Sequence, residues 1–310
     1  MLYDTIEMQQ RNSFPDIRLI QGKGVFVEKG KDNFIMLPVV DFCFKELLQN
    51  GKVRLGLTAA LLGRRTEEIQ NTFLLPTILQ RGRKGGKKGI LDVRVVLREG
   101  TQMDMEMQVD YFEFWEERIL FYLCRMFAEQ LERGDSYEKL KKCVHVSILD
   151  FIYFPQDHEC CRKIHFRDDK TGQSYSDKLE IQILELRKLP EIIPEGDDVM
   201  MWMRFFSGRR REDFERMAKM NEYLDEAYGT LLVLSADEKK RLEYEARERA
   251  LRDFNTQMYS AEKRGEMRGE LKKAERVLKE LLARGFSVEE GAAITEIDIE
   301  KAKDIFKDWM

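Results

Sequence analysis

The chain has 310 residues, 43% of them hydrophobic and 35% charged, with a net charge of −4. That supplies a core for one large or two modest domains, and the mild negative balance excludes a protein that holds nucleic acid by overall charge, so such a contact needs a local basic patch. No apolar run approaches the roughly 20 residues of a membrane span, and five cysteines without framework spacing argue for a reducing compartment. A soluble cytoplasmic chain is expected.

Residues 1–33 carry Pro15, glycines and mixed charges without clear periodicity, and no role is assigned to them. From Pro38 the spacing turns helical, through Phe42, Leu47 and Leu48 and then Leu55, Leu57, Ala60 and Leu61; Asn50-Gly51 divides two helices. Phe73–Leu79 reads as a strand. The glycine-rich basic run RGRKGGKKG (81–89) is either a solvated turn or a contact for DNA phosphate.

Gly89 to Val109 then alternates apolar and polar residues on either side of Arg98-Glu99-Gly100, the pattern of a β-hairpin. A two-residue loop would mix the two residue types on each face. A three-residue loop with Gly100 left-handed pairs Leu97 with Thr101 and sorts them. It sets Leu91, Val93 and Val95 opposite Met107, Met105 and Met103, and Ile90, Asp92, Arg94 and Val96 opposite Gln108, Glu106, Asp104 and Gln102. Asp92 and Glu106 then face each other with side-chain roots about 5 Å apart, where like charges repel. Arg94 has Asp104 as its partner, but these two carboxylates have no counter-charge in their row. A hard divalent cation such as Mg²⁺ would relieve the repulsion; the plainer alternative is a solvated face.

Trp115–Arg133 is amphipathic at helical spacing and Gly134 is placed to end it. A short helix over Tyr137–Lys142 leads to a buried strand over Val144–Phe154, in which His145 reads as a satisfied core residue. Strands come next at Lys163–Phe166 and Leu179–Leu186. In HECCRKIH the vicinal Cys160 and Cys161 constrain the geometry that a zinc site with His158 and His165 would need, and none is assigned. Beyond Pro190 and Pro194, helices are expected over Asp197–Phe206 and Arg211–Tyr228. Ser235–Leu282 forms one long charged pattern opening on a capping-box-like Ser235-Ala236-Asp237-Glu238 and interrupted by Gly265 and Gly269.

The segments VDFCFKELL (40–48), LTAALLG (57–63), GILDVRV with MEMQV, RILFYLCRMFAEQLERGDSYEKLKKCVHVSILDF (118–151) and KLEIQILELRKL (178–189) resemble, in order, the recombination-promoting nuclease/putative transposase family of the PD-(D/E)XK superfamily. The charged 235–282 tract and the 285–306 terminus resemble the segments C-terminal to the nuclease core in that family, although Gly291 and Glu296 depart from the terminus's usual apolar and glycine positions. The resemblance implies an α/β fold: a restriction-endonuclease-like mixed sheet flanked by helices at 34–190, after an N-terminal segment at 1–33. Beyond it come a helical, coiled-coil-like region at 191–285 and a small helical terminus at 286–310. The resemblance implies a metal-dependent DNA endonuclease with Asp92 and Glu106 as Mg²⁺ ligands and Gln108 where many relatives carry lysine. The missing positive charge would come from Lys45, or from Lys87 or Lys88. Asp41, four residues before Lys45, is its partner on a helix surface or part of the site, and Arg118 lines the cleft or packs the helix. DNA is the expected partner, and self-association through the long helix is expected. The competing readings are a DNA-binding or assembly protein of the same fold without turnover, which Gln108 favours, and an interaction protein organised by the long helix.

Overall fold

The computed structural model describes residues 34–79 and 89–309. Residues 1–33 and most of the basic loop, with Lys87 and Lys88, lie outside that range. The elements are α1 (Asp41–Leu47), α2 (Gly51–Leu62), α3 (Thr66–Ile69), β1 (Thr72–Leu75), β2 (Ile78–Leu79), β3 (Gly89–Ile90), β4 (Val93–Leu97), β5 (Gln102–Gln108), α4 (Trp115–Ala128), β6 (Cys143–Leu149), β7 (Cys161–Arg167) and β8 (Ser174–Glu185). Six helices complete the order: α5 (Asp198–Phe206), α6 (Arg211–Ala218), α7 (Glu222–Ala236), α8 (Glu238–Ala283), α9 (Val288–Thr295) and α10 (Ile299–Trp309). Among the described residues no helix is long and apolar enough to cross a membrane.

Six strands form one mixed sheet in the order β1-β4-β5-β6-β8-β7, parallel at β5-β6 and β6-β8 and antiparallel elsewhere. This is the expected α/β core. A parallel pair needs a crossover, and α4 is the crossover from β5 to β6. Its apolar stripe (Ile119, Tyr122, Leu123, Met126) covers one face of the sheet, while helices from both ends of the chain cover the other. A strand roofed on both sides reads as a continuous apolar run, which is why β6 is buried throughout.

The hairpin takes the three-residue turn. Gly100 has φ 96° and Leu97 N donates to Thr101 O at 2.9 Å. The ladder pairs Val93 with Met105, Arg94 with Asp104, Val95 with Met103 and Val96 with Gln102. Two expectations need correction. The first strand does not run unbroken from Gly89: β3 pairs with β2 in a separate two-stranded sheet, and Leu91 N donates to Thr77 O. Leu91 and Asp92 therefore lie in the kink before β4, outside the ladder. The polar row is not solvated either, because α4 roofs it; Asp104 and Glu106 are each 1% exposed.

Other boundaries moved for local reasons. Pro76 has no N–H for a ladder and splits Phe73–Leu79 into β1 and β2. Helix α4 stops at Ala128, short of Arg133, and the Gln130 side chain instead bonds the backbone of Lys141. The segment after Gly134 holds a single 3₁₀ turn, Tyr137–Lys139. Asn221 accepts from Tyr223 N and Leu224 N, so Arg211–Tyr228 becomes two helices. Asp237, not Ser235, caps α8; the Ser235 hydroxyl accepts from Met36 N at 2.9 Å. Gly265 and Gly269 lie inside α8 without breaking it.

The described residues from Phe34 onward form one compact unit. Trp202, Phe205 and Phe206 of α5, Phe214 of α6 and Leu224 and Leu231 of α7 share a single core with Phe44, Leu57, Val95 and Met105. At the far end of α8, Leu278 packs with Ala292, Ile297 and Ala302. A Cβ on Gly291 would lie 2.6 Å from Leu278 Cδ1, so that departure from the family pattern is a close helix approach.

Candidate active site

Alternation along β5 puts Gln102, Asp104, Glu106 and Gln108 on the face beneath α4. Parallel pairing sets His145 beside Asp104 and Ser147 beside Glu106 on β6. The kink at Asp92 turns its carboxylate toward α1, where Lys45 Nζ lies 2.9 Å from Asp92 Oδ1 and 3.4 Å from Asp41 Oδ2. Arg118 of α4 reaches in from the opposite side, with Nη2 3.2 Å from Glu106 Oε1. Gln108 Nε2 donates to Glu106 Oε2 at 3.2 Å.

These six residues form two groups, Asp41–Lys45–Asp92 from α1 and the kink before β4 and Gln108–Glu106–Arg118 from β5 and α4, with the charge of Asp92 reaching Glu106. Lys45 bridges two carboxylates, which goes beyond a helix-surface pair. Each member of the acidic pair has a cation from outside its row of strand residues, Lys45 of α1 for Asp92 and Arg118 of α4 for Glu106. Arg118 is also flanked by the Phe112 and Tyr122 rings, each 5.1 Å away, and Tyr122 is a packing residue.

The arrangement perturbs protonation. Burial, reinforced by the nearby charges of Asp104 and Asp92, pushes Glu106 up to about 7 against the opposing pull of His145 and Arg118. Burial raises Asp92 as well, and Lys45 only partly offsets it. Burial acts to lower Lys45, but the ion pairs with Asp92 and Asp41 outweigh it and its pKa rises.

A second network sits behind the pair. His145 Nδ1 lies 2.9 Å from Asp104 Oδ2 and its Nε2 2.8 Å from Ser147 Oγ, all fully buried. Burial acts to lower the pKa of His145, but the bond to Asp104 and the charges of Asp104 and Glu106 raise it. Asp104 Oδ1 has no hydrogen-bond partner among the described residues. Asp104 thus serves His145, and Arg94 turns instead to Gln102 Oε1 at 2.8 Å. His145 is a satisfied core residue, as its strand context suggested. Its coupling to Glu106 was missed; the signal was Asp104 two residues from Glu106 on one strand face. The HECC segment disperses: Cys161 Sγ contacts Met203 Sδ at 3.2 Å, and His165 bonds Glu180 at 2.9 Å.

Residues 38–261 match the family described as PD-(D/E)XK nuclease family transposase. The chain belongs to that family. No curated protein and no solved structure matches it. The family match runs past Pro190 into α8, in keeping with the core that α5–α7 share with the sheet.

Proposed function

We propose that this nuclease-family transposase is a metal-dependent DNA endonuclease, with Asp92 and Glu106 as ligands for Mg²⁺ or another hard divalent cation. The observation that carries the reading is a pair of largely buried carboxylates, Asp92 on Lys45 and Glu106 on Arg118, near enough that the charge of Asp92 acts on Glu106. The donor chemistry fits: both ligands are hard oxygens, Asp92 keeps 17% of its side chain exposed, and Mg²⁺ commonly takes one or two carboxylates and fills its remaining positions with waters and phosphate oxygens. When bound, such a cation supplies charge stabilisation at the phosphoryl group and acidifies water. Lys45, beside Asp92, would meet negative charge building on phosphate oxygens. Gln108 cannot supply that charge; its carboxamide holds Glu106 in place. In the overall reaction a water oxygen bonds to phosphorus, a P–O ester bond breaks and the leaving oxygen ends protonated.

Plasmid nicking in Mg²⁺ against EDTA tests this, with wild type compared with Asp92→Ala. Metal-dependent nicking that Asp92→Ala reduces at least about 100-fold is expected, the scale on which losing a main electrostatic contributor acts. Folded wild type that nicks under no divalent cation but shifts DNA in a gel would establish the binding reading, which the uncharged Gln108 favours.

We also infer a homodimer through α8. The helix is about 70 Å long at 1.5 Å per residue, and its two buried residues, Tyr244 and Leu278, lie toward its ends. Between them Leu251, Phe254, Met258 and Ala261 recur at the three-four spacing of a coiled-coil seam, with Phe254 and Met258 each 54% exposed. Sedimentation of the full chain should give a dimer that Phe254→Glu with Met258→Glu converts to monomer. A wild-type monomer at micromolar concentration would refute it.

A further inference from the structure

Beyond the carboxylates, the carboxyl ends of the parallel strands β5 and β6 build a second feature. Asp150 N donates to Gln108 O at 2.8 Å, so the segments leaving the two strands run side by side. One carries Tyr111; the other carries Phe151, Ile152, Tyr153 and Phe154. With Glu116 and Gln156 they line an open cleft of about 450 Å³. Tyr111 lies 6.0 Å from the Tyr153 ring at 31° and meets Phe151 edge-on at 6.5 Å. Tyr153 is backed by buried Trp115 at 4.6 Å.

The Tyr153–Phe154 segment is held by backbone bonds. Glu185 Oε1, at the end of β8, accepts from Tyr153 N at 2.6 Å and Phe154 N at 3.0 Å. The Arg162 guanidinium covers Phe154 at 4.4 Å. Tyr111, which rests on Phe151 and Tyr153, is 58% exposed, so an aromatic face is left open to solvent. The cleft is also joined to the carboxylate site, because Arg118 pairs with Glu106 and stacks on Phe112, the residue after Tyr111. Glu106 and Tyr111 are five positions apart, at most about 17 Å of extended chain, within reach of a few nucleotides.

We propose that this cleft takes an unstacked nucleobase of the strand being cut, so that the preferred substrate is single-stranded or locally unpaired DNA; this rests on the nuclease reading above. An aromatic face stacks on any base, and ligands of open α/β sheets sit outside the carboxyl ends of the strands. Glu116 and Gln156 add an acceptor and a carboxamide suited to base edges. Phosphate is disfavoured inside, because the one charged lining residue is a carboxylate. Positive charge for the backbone stands at the same end, on Arg187 and Arg209, which flank Asp150 at 3.6 and 2.9 Å.

The test is fluorescence anisotropy of the full chain in EDTA, where no cutting occurs, with a labelled single strand, the matching duplex and a duplex carrying an unpaired bulge. Wild type should bind the single strand and the bulge more tightly than the duplex. Tyr111→Ala should lose about tenfold on both unpaired probes and leave the duplex unchanged, while Tyr111→Phe stays within about twofold. Equal affinity for all three probes, or an unchanged preference in Tyr111→Ala, overturns the proposal. So does an apolar peptide probe that occupies the cleft and that single strands cannot displace. A chain that shows the preference but never nicks overturns the catalytic reading alone. A chain that nicks while Tyr111→Ala keeps every affinity overturns the cleft alone.

Discussion

Glu106 is a buried carboxyl paired with Arg118, and its protonation has a consequence for stability. Its carboxyl is raised by burial from the ordinary 4.5 to about 7, so between those values the folded protein holds a proton that the unfolded chain releases. The metal-free protein therefore loses stability as pH climbs from about 5 to about 7.5, while a cation that needs the ionised carboxylate becomes more stabilising. Thermal melts with and without Mg²⁺ should show a gain that grows over that range; an equal gain at both ends would mean that Glu106 does not bind the cation. His145 makes a separate prediction. Replacing it with leucine strands Asp104 and Ser147 in the core, and should cost on the order of 3–5 kcal/mol. Urea denaturation reads this directly, and a loss below about 1 kcal/mol would mean that water already reaches the network.

At the scale of elements, the site depends on how closely α2 meets α7. A Cβ on Gly56 would lie 2.5 Å from Tyr223 Cβ and Cγ, atoms near the α7 backbone that cannot swing away. Tyr223 in turn bonds Thr66 Oγ1 at 2.8 Å, and Asn50 caps α2 while its amide reaches Glu226 and Thr230 on α7. Gly56→Ala should cost about 1–3 kcal/mol by overpacking, and a melt equal to wild type would show that the two helices slide apart freely. The element boundaries that moved from their sequence positions did so through contacts of this kind. Ser235 looks like a cap in sequence, but its hydroxyl serves Met36 about 200 residues away.

At the scale of the whole molecule, Pro190 marks a change of composition without marking an edge of the core. Cutting there removes Trp202, Phe205, Phe206, Phe214, Leu224 and Leu231, all buried against the sheet's helical layer. Each such side chain contributes about 1.5–3 kcal/mol on burial, a sum comparable to the whole stability of ordinary domains. A chain ending at Pro190 should be insoluble or show no cooperative melt, whereas one ending after Leu251, which keeps Tyr244 and all of α7, should still melt cooperatively. A folded, soluble 34–190 fragment would prove the helical layer dispensable.

The amino-acid order by itself determined the hairpin, because Gly100 and the two-residue period of Val93–Val95 against Met103–Met105 admit one register that sorts the faces. It also determined the helical segments around Leu57 and Met126, and the family, through segments that follow in order from VDFCFKELL to KLEIQILELRKL. These are local properties of period, turn and spacing. Only the tertiary structure decided that α4 would bury the polar row, that Asp92 would sit in a kink beside Lys45, and that Arg118 would neutralise Glu106. Each of those depends on which helix lands on which face of the sheet, set by packing between residues far apart in the chain. A strand pattern records that its polar face exists, but not what covers it.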